Sequence, residues 1–233
     1  MEMKKLLGGC LNGNQLKIAA LVAMTCDHAG KLLFTDLYFL RILGRLAFPI
    51  FAYMIAEGCK YTKNRVKYLG IIAAIAFLCQ VVYFFAADSL YQYILVTFSL
   101  SIALTYVVDN ALKKRSFLSV VYVILSVFAV YTASVIVPNM LTTTDFHIDY
   151  GLGGILLPVL VYMVNSKWEK LLMSAICLVL IALSMGGIQW YSLAALIPLA
   201  LYNGKRGTYR MKNLFYIYYP AHLVLIYLIK IIL

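Results

Sequence analysis

Charged residues are scarce in this chain. Asp, Glu, Lys and Arg make up 12% of its 233 residues, about half of the ~25% found in soluble domains. Hydrophobic residues make up 64%, and the mean hydropathy is +0.90. A water-soluble fold of this size would have too little polar surface to cover itself, whereas several segments reach the ~20 apolar residues that cross a hydrocarbon core. The composition therefore predicts a polytopic membrane protein.

Several signatures of enzymes and metal proteins are also missing. None of the five cysteines stands in a CxxC pair, and the chain has no HExxH spacing and no G-x-S-x-G nucleophile elbow. The three histidines are His28, His147 and His222, and we predict different membrane depths for them. We therefore expect no metal site. The glycines of GLGG at 151–154 are predicted to permit close helix packing rather than to bind phosphate.

Apolar stretches recur along the whole chain and predict an all-α fold, a single transmembrane helical domain over residues 1–233. Two of these stretches, 171–185 and 188–203, would each form a helix only ~23 Å long at 1.5 Å per residue. In one interpretation, residues 171–203 therefore form a short or re-entrant hairpin. About nine transmembrane helices are predicted, at 16–35, 38–58, 67–87, 92–111, 117–137, 149–165, 171–185, 188–203 and 214–232.

Lysine and arginine are concentrated before the first predicted helix and in every second connection between the predicted helices. The remaining connections hold neither residue type, a pattern typical of the positive-inside rule. It predicts a multi-pass protein of the inner or plasma membrane with a cytoplasmic N-terminus and an external C-terminus. The net charge of +11 then reflects topology, and we expect no nucleic-acid partner. The basic residues that carry this pattern are Lys4, Lys5 and Lys17; Lys60, Lys63, Arg65 and Lys67; Lys113, Lys114 and Arg115; Lys167 and Lys170; and Lys205, Arg206, Arg210 and Lys212.

The ionisable residues inside the predicted helices are the functional candidates, because such groups are costly in lipid. The stretch TCDHAG places Asp27 and His28 in the first helix. Arg41 and Arg45 follow in the second helix, four residues apart and so on one face, at a predicted depth similar to that of His28. One interpretation is a structural ion pair between Asp27 and an arginine, since buried charges need partners. The other interpretation is a reactive site.

Histidine and arginine together suit acyl transfer. Imidazole titrates near neutrality, so His28 can deprotonate an acceptor or carry the acyl group itself. The guanidinium groups of Arg41 and Arg45 can hold an anionic substrate group or a developing oxyanion. The alternative function is a proton- or ion-coupled transporter that uses these residues with Asp27 and Asp149 as a relay.

Two other polar features have simpler interpretations. Glu57 lies one turn before Lys60 and is expected to end a helix at the cytoplasmic face. Tyr216, Tyr218 and Tyr219, in FYIYYP, are predicted to form an interfacial aromatic belt.

The combination of TCDHAG at 25–30, LRILGRLAFPIFAYMIAEG at 40–58, DYG at 149–151 and FYIYYPAHL at 215–223 resembles the TraX family of integral membrane proteins. The namesake of that family is associated with N-terminal acetylation of conjugative pilin. The family is grouped with transmembrane acyltransferases that use a cytoplasmic acyl-CoA, and in that group a first-helix histidine is considered catalytic.

The resemblance implies an acetyltransferase with acetyl-CoA as acyl donor, embedded in membrane lipid. Its acceptor amine or hydroxyl would belong to a pilin N-terminus, a glycan or a lipid-linked molecule. Two positions depart from the family pattern, Gln80 in place of an acid and Gln92-Tyr93 in place of Gln-Asn. The predicted catalytic residues are His28, Asp27, Arg45 and Arg41, and the predicted substrate-binding residues are Tyr53, Glu57, Gln92, Asp149, Tyr150, Gln189 and His222.

Overall fold

The computed structural model of the protein describes residues 9–208 and 211–232, so the basic residues Lys4, Lys5 and Arg210 lie outside the described part. No strand forms within these residues. A π-helical turn at Thr132–Ile136 and a 3-10 segment at Gly187–Ala195 accompany the α-helices. The α-helices are α1 (Gly13–Leu32), α2 (Tyr38–Gly44), α3 (Ala47–Tyr61), α4 (Arg65–Ala87), α5 (Ile94–Lys114), α6 (Phe117–Tyr131), α7 (Val137–Met140), α8 (Gly151–Met163), α9 (Lys167–Met185), α10 (Leu196–Ala200) and α11 (Lys212–Ile232).

The prediction of a polytopic helical membrane protein is confirmed. Within the described residues, α2 joins α3, α6 joins α7, and the 3-10 segment joins α10, which gives nine helical stretches. Two further stretches are apolar but shorter, Gly151–Met163 and Gly187–Ala200. Six stretches are long and apolar enough to cross a membrane: Tyr38–Tyr61, Arg65–Ala87, Ile94–Lys114, Phe117–Met140, Lys167–Met185 and Leu214–Ile232.

Two details of the helix prediction change. The first arm of the predicted hairpin is a full-length span, α9, whereas the second arm begins as a 3-10 helix and stays short. Helix α1 has 20 residues but lies outside the set of six spans, because Asp27, His28 and Lys31 lower its hydropathy.

The outward faces of the long helices are apolar. Phe77, Phe85 and Phe117 are 71%, 81% and 85% exposed. Large apolar side chains at this exposure would be unstable in water but are at home against lipid tails, where the backbone polar groups are satisfied within each helix.

The chain divides into two compact units. The first unit holds the described residues up to Met54 and from Ser174 onward, and the second unit is Ile55–Met173. In the second unit, α5 and α8 pack closely at Gly154, where an added Cβ would lie 3.3 Å from Cγ2 of Thr97 in α5. The hydroxyl of Ser101 donates across this contact to the carbonyl of Ile155 at 2.9 Å. The packing role predicted for GLGG is therefore confirmed at Gly154.

Two connections of the second unit are tied together. Gln92 N–H donates to the carbonyl of His147 at 2.7 Å, and Asp149 N–H donates to the carbonyl of Gln92 at 2.8 Å. Asp145 accepts from the Ser89 hydroxyl at 2.6 Å and from the Leu90 N–H at 2.8 Å. These two hydrogen bonds hold the pKa of the Asp145 carboxyl below its usual range.

In the first unit, two helices approach closely because one contact position is a glycine. A Cβ added to Gly44 in α2 would lie 2.3 Å from the Cβ of Asp27 in α1. The helix is interrupted just beyond, at Arg45 and Leu46. Pro49 accounts for the interruption, since it has no N–H to donate to the carbonyl of Arg45 four residues earlier. Arg45 therefore lies at the interruption between α2 and α3, where its side chain contacts the carboxylate of Asp27.

We predict that Gly44→Ala destabilises the protein by about 1–3 kcal/mol, because the new methyl group meets Asp27 close to its backbone. The measurement is thermal unfolding in detergent. The control is Gly70→Ala in α4, where an added Cβ meets nothing within 4 Å and alanine should stabilise the helix by up to about 1 kcal/mol. Equal effects at the two positions would contradict the close approach.

Candidate functional site

Asp27 lies between two arginines. Its Oδ1 is 2.5 Å from Nη2 of Arg45 and 3.1 Å from Nε of Arg41. The side chains of Asp27, Arg41 and Arg45 are 18%, 25% and 11% exposed, so the cluster is largely shielded from solvent. The spacing of four residues puts both guanidinium groups on one side of the carboxylate, as predicted. Two positive charges face one negative charge, which leaves the cluster with a net positive charge.

Gln189 extends this cluster. Its Oε1 accepts from Nη1 of Arg45 at 3.4 Å, and the residue is only 2% exposed. It belongs to the 3-10 segment, which packs against α2. The predicted site residues Asp27, Arg41, Arg45 and Gln189 are therefore brought together in the first unit.

His28 contacts a second histidine. Nδ1 of His28 lies 2.9 Å from the carbonyl oxygen of Met24 and 3.3 Å from Nε2 of His222. Nδ1 of His222 lies 2.9 Å from the carbonyl oxygen of Tyr218. Because a carbonyl only accepts, both Nδ1 atoms carry the proton. The single Nδ1–H of His28 is shared between the carbonyl of Met24 and the unprotonated Nε2 of His222. This assignment leaves Nε2 of His28 as a lone-pair nitrogen on a partly exposed side chain.

His222 is held in place by its neighbours. It is 4% exposed, its ring stacks on Tyr218 with centroids 5.4 Å apart, and it meets Tyr219 edge-on at 5.7 Å. The hydroxyls of Tyr218 and Thr25 are 2.7 Å apart. Since Thr25 donates to the carbonyl of Leu21 at 2.9 Å, Tyr218 is the donor in this pair. Helices α1 and α11 are thus joined at two levels, and the ring of His222 has one orientation.

Two interpretations of α11 prove wrong. The different depths predicted for His28 and His222 are excluded by their contact, with ring centroids 5.0 Å apart. Tyr218 and Tyr219 are not interfacial belt residues, because Tyr218 bonds to Thr25 and Tyr219 is 8% exposed. Counting residues from the ends of helices cannot show which faces meet, and here the polar face of the tyrosine run turns towards α1.

The other predicted substrate-binding residues have structural partners. Tyr53, in the first unit, is 2% exposed and meets the ring of Tyr202 edge-on at 5.9 Å. In the second unit, Asp149 accepts from the hydroxyl of Tyr91 at 2.9 Å. Gln92 pairs with the backbone of Asp149, as described above, and Tyr150 precedes α8 in the left-handed conformation with φ +58°. Their part in substrate binding stays a prediction.

Glu57 forms a buried ion pair with Lys170 within the second unit, with side-chain exposures of 8% and 9%. Lys60, the expected neighbour of Glu57, instead donates to Asn165 at 2.9 Å. The pairing across two helices, rather than a helix end, is what neutralises the charge of Glu57. A substrate-binding role for Glu57 stays a prediction.

A basic cleft opens at the start of α1. Its volume is about 470 Å³, within the ~300–1,000 Å³ range of small-molecule sites. The chain is folded back here, because the N–H groups of Gly13 and Asn14 donate to the carbonyls of Lys205 and Arg206 at 2.7 and 3.0 Å. The cleft is lined by Asn12, Asn203, Lys205, Arg206, Gly207 and Thr208.

Comparison with known proteins identifies the family. The profile of the TraX protein family matches residues 12–230. The chain belongs to the TraX family. It is 26% identical over 237 aligned residues to a protein of Dichelobacter nodosus named as a probable fimbrial assembly protein FimC, serogroup H1, with 91% of this chain and 93% of the relative covered. An uncharacterized protein of Rickettsia prowazekii (strain Madrid E) is 38% identical over 63 residues, 26% of this chain and 25% of that protein. No solved structure matches.

The TraX-family site contains two groups that sequence reasoning missed. Thr25 and Tyr218 were not among the candidates, although they join the two helices that carry His28 and His222. A signal existed, since Thr25 stands three residues before His28 and Tyr218 stands four residues before His222. Residues at these spacings share a helix face. A tyrosine facing a threonine is a weak pattern, however, in a chain with 19 tyrosines.

We predict that Asp27→Asn destabilises the protein by about 1–3 kcal/mol, because Arg41 and Arg45 then lack a counter-charge. The measurement is again thermal unfolding in detergent. Asp88→Asn is the control, since Asp88 is exposed and asparagine accepts its left-handed φ of +47°. An unchanged midpoint in Asp27→Asn would contradict the structural importance of the cluster.

Proposed function

We propose that this TraX-family protein is a transmembrane acyltransferase, which moves an acetyl group from acetyl-CoA to an amine or hydroxyl. The observation that carries the proposal is the pair formed by His28 and His222. The acceptors on Nδ1 of His28 leave its Nε2 unprotonated, as a general base requires.

The reaction follows from that nitrogen. Nε2 of His28 takes the proton of the acceptor N–H or O–H while the acceptor atom attacks the thioester carbonyl carbon. The carbonyl π electrons move to oxygen, and they return as the C–S bond breaks. The imidazolium then gives its Nε2 proton to the departing thiolate, so His28 ends the cycle in its starting state. His222 keeps the His28 ring in one orientation throughout. In other enzymes of this kind, a third group orients the catalytic base in the same way.

The Asp27 cluster supports the charge that develops in this reaction. Its two guanidinium groups and one carboxylate carry a net positive charge, one residue along the chain from His28. A preorganised positive charge in a water-poor site favours an oxyanion more than it favours the neutral thioester. In a catalytic triad, an aspartate orients the histidine. Asp27 instead orients the two arginines.

The basic cleft supports a donor that carries phosphate groups. Lys205 and Arg206 are exposed at its rim, and basic side chains of this kind recognise phosphate. By the positive-inside pattern, the connection that holds them faces the cytoplasm. A cytoplasmic acyl-CoA would therefore meet this cleft with its phosphates and reach His28 with its thioester arm.

The acceptor class follows from the relative. The Dichelobacter nodosus protein is named for fimbrial assembly, so a fimbrial or pilus subunit amine is the first acceptor to test. Glycan hydroxyls and lipid-linked acceptors fit the same chemistry, because each supplies a nucleophile with one proton to lose.

We predict that His28→Ala lowers acyl transfer by about 10²–10⁴-fold, the usual contribution of a general base. Purified protein in lipid is incubated with radiolabelled acetyl-CoA and an envelope fraction, and both CoA release and labelled product are measured. His147→Ala is the matched control, because His147 is exposed in a connection of the second unit. Wild-type protein that consumes no thioester with any acceptor contradicts the enzyme and favours the transporter.

We predict that His222→Ala lowers kcat by up to about 10²-fold with little change in KM, because the His28 ring loses its fixed orientation. His222→Gln should recover part of the rate, since the amide oxygen of glutamine can accept from Nδ1 of His28. The measurement is the same transfer assay, with kcat and KM determined separately. Equal losses in the two variants would reduce His222 to a packing role.

A further inference from the structure

The 3-10 segment at Gly187–Ala195 is unusual in its length. It runs for nine residues, whereas 3-10 helices rarely exceed four residues. Gly186 and Gly187, with φ of +65° and +53°, turn the chain into it after α9, a conformation that costs other residues strain.

The 3-10 geometry lines up one buried strip. Three residues per turn bring positions i, i+3 and i+6 over one another, and the buried residues of the segment are Gln189, Ser192 and Ala195. Two of the three are polar, although an apolar strip would pack against α2 at no desolvation cost.

Each of the two polar side chains of this strip has one buried atom without a partner in the part of the chain that the structure describes. Among the described protein groups, Nε2 of Gln189 and Oγ of Ser192 have no hydrogen-bond partner, and the residues are 2% and 0% exposed. A buried unpaired donor costs about 1–3 kcal/mol. Such a pair at one place in a fold needs an explanation, and a catalytic role is one of those that natural proteins provide.

The orientation of the Gln189 amide is fixed by Arg45. A guanidinium has donors but no acceptor, so the atom 3.4 Å from Nη1 of Arg45 must be the amide oxygen. The amide nitrogen then offers both its protons elsewhere. What it binds must accept hydrogen bonds.

We propose that Gln189 binds the carbonyl oxygen of the acyl donor through Nε2 and so stabilises the oxyanion of the acyl-transfer reaction. The inference rests on the proposed function. Arg45 links this donor to the Asp27 cluster beside His28, and Ser192, one 3-10 turn further on, adds a hydroxyl to the same polar strip. An amide N–H that is already buried and directed needs no reorganisation when the charge forms on the oxygen.

The test uses two variants of the full-length protein in lipid, in the acetyl-CoA assay. Gln189→Met removes both the oxygen and the nitrogen at similar volume. Gln189→Glu keeps an oxygen for Arg45 and removes the donor. Loss of one oxyanion donor lowers kcat by about 10²-fold or more, so both variants should lose turnover to that extent with little change in KM.

Stability separates this role from packing. Gln189→Met removes a buried unpaired donor but also the acceptor of the 3.4 Å hydrogen bond from Arg45, and these effects oppose each other. Its unfolding midpoint should therefore stay close to that of the wild type while its turnover falls. Ser101→Ala is the matched control in the second unit, because its buried hydroxyl shares its one proton between the carbonyls of Thr97 and Ile155, each 2.9 Å away. That control should lose stability and keep its turnover.

The results divide cleanly. Unchanged turnover in Gln189→Met overturns the inference, and so does full turnover in Gln189→Glu, which would show that only the contact with Arg45 matters. A lower midpoint in Gln189→Met that accounts for its lost activity also overturns it. An inactive wild type instead counts against the proposed function itself, whereas an active wild type with an inactive His28→Ala leaves that function standing whatever Gln189 does.

Discussion

The first unit is built around one carboxylate oxygen. Oδ1 of Asp27 receives both Arg41 and Arg45, and three charges this poorly exposed are stable only when their geometry is maintained. The backbone provides that geometry through Gly44, which lets α2 approach Asp27, and through Pro49, which interrupts the helix at Arg45. The local chain path and the electrostatics of the cluster are therefore coupled.

Asp27 and His28 have different partners. Asp27 and His28 are neighbours in sequence but lie about 100° apart around α1. The carboxylate therefore serves the arginines on α2, while the imidazole turns to His222 on α11. His222, as a neutral partner, fixes the tautomer of His28. A carboxylate in that place would add a second buried negative charge, and it would compete with Asp27 for the two arginines.

Much of this arrangement could be predicted from the sequence. Composition and periodicity predict the helices, and the spacing of Arg41 and Arg45 predicts that both reach one side of the first helix, because helical geometry is local. The contact between His28 and His222 could not be predicted, since it joins residues 194 positions apart and depends on which faces of α1 and α11 meet. The partner of Glu57 was missed for the same reason: Lys170 lies 113 positions away, whereas Lys60 is a neighbour in sequence. Gln189 was a candidate, but its segment was predicted to be α-helical. The 3-10 geometry, which decides which residues share a face with Gln189, was not predicted.

Fully buried hydroxyls in the second unit show how this fold satisfies a polar group. Thr97, Ser101 and Thr105, all 0% exposed in the second unit, each donate to a backbone carbonyl at 2.7–2.9 Å. Gln189 and Ser192, equally buried in the first unit, find no such acceptor among the described groups. Carbonyl acceptors are available in any helix, so the second unit shows that this fold can satisfy a buried hydroxyl at no cost in packing. Natural proteins leave such rules broken mainly where function requires it, and this exception, one of several among the described residues, contacts Arg45 of the Asp27 cluster. The physical argument for a reactive site in the first unit therefore does not depend on the histidines alone.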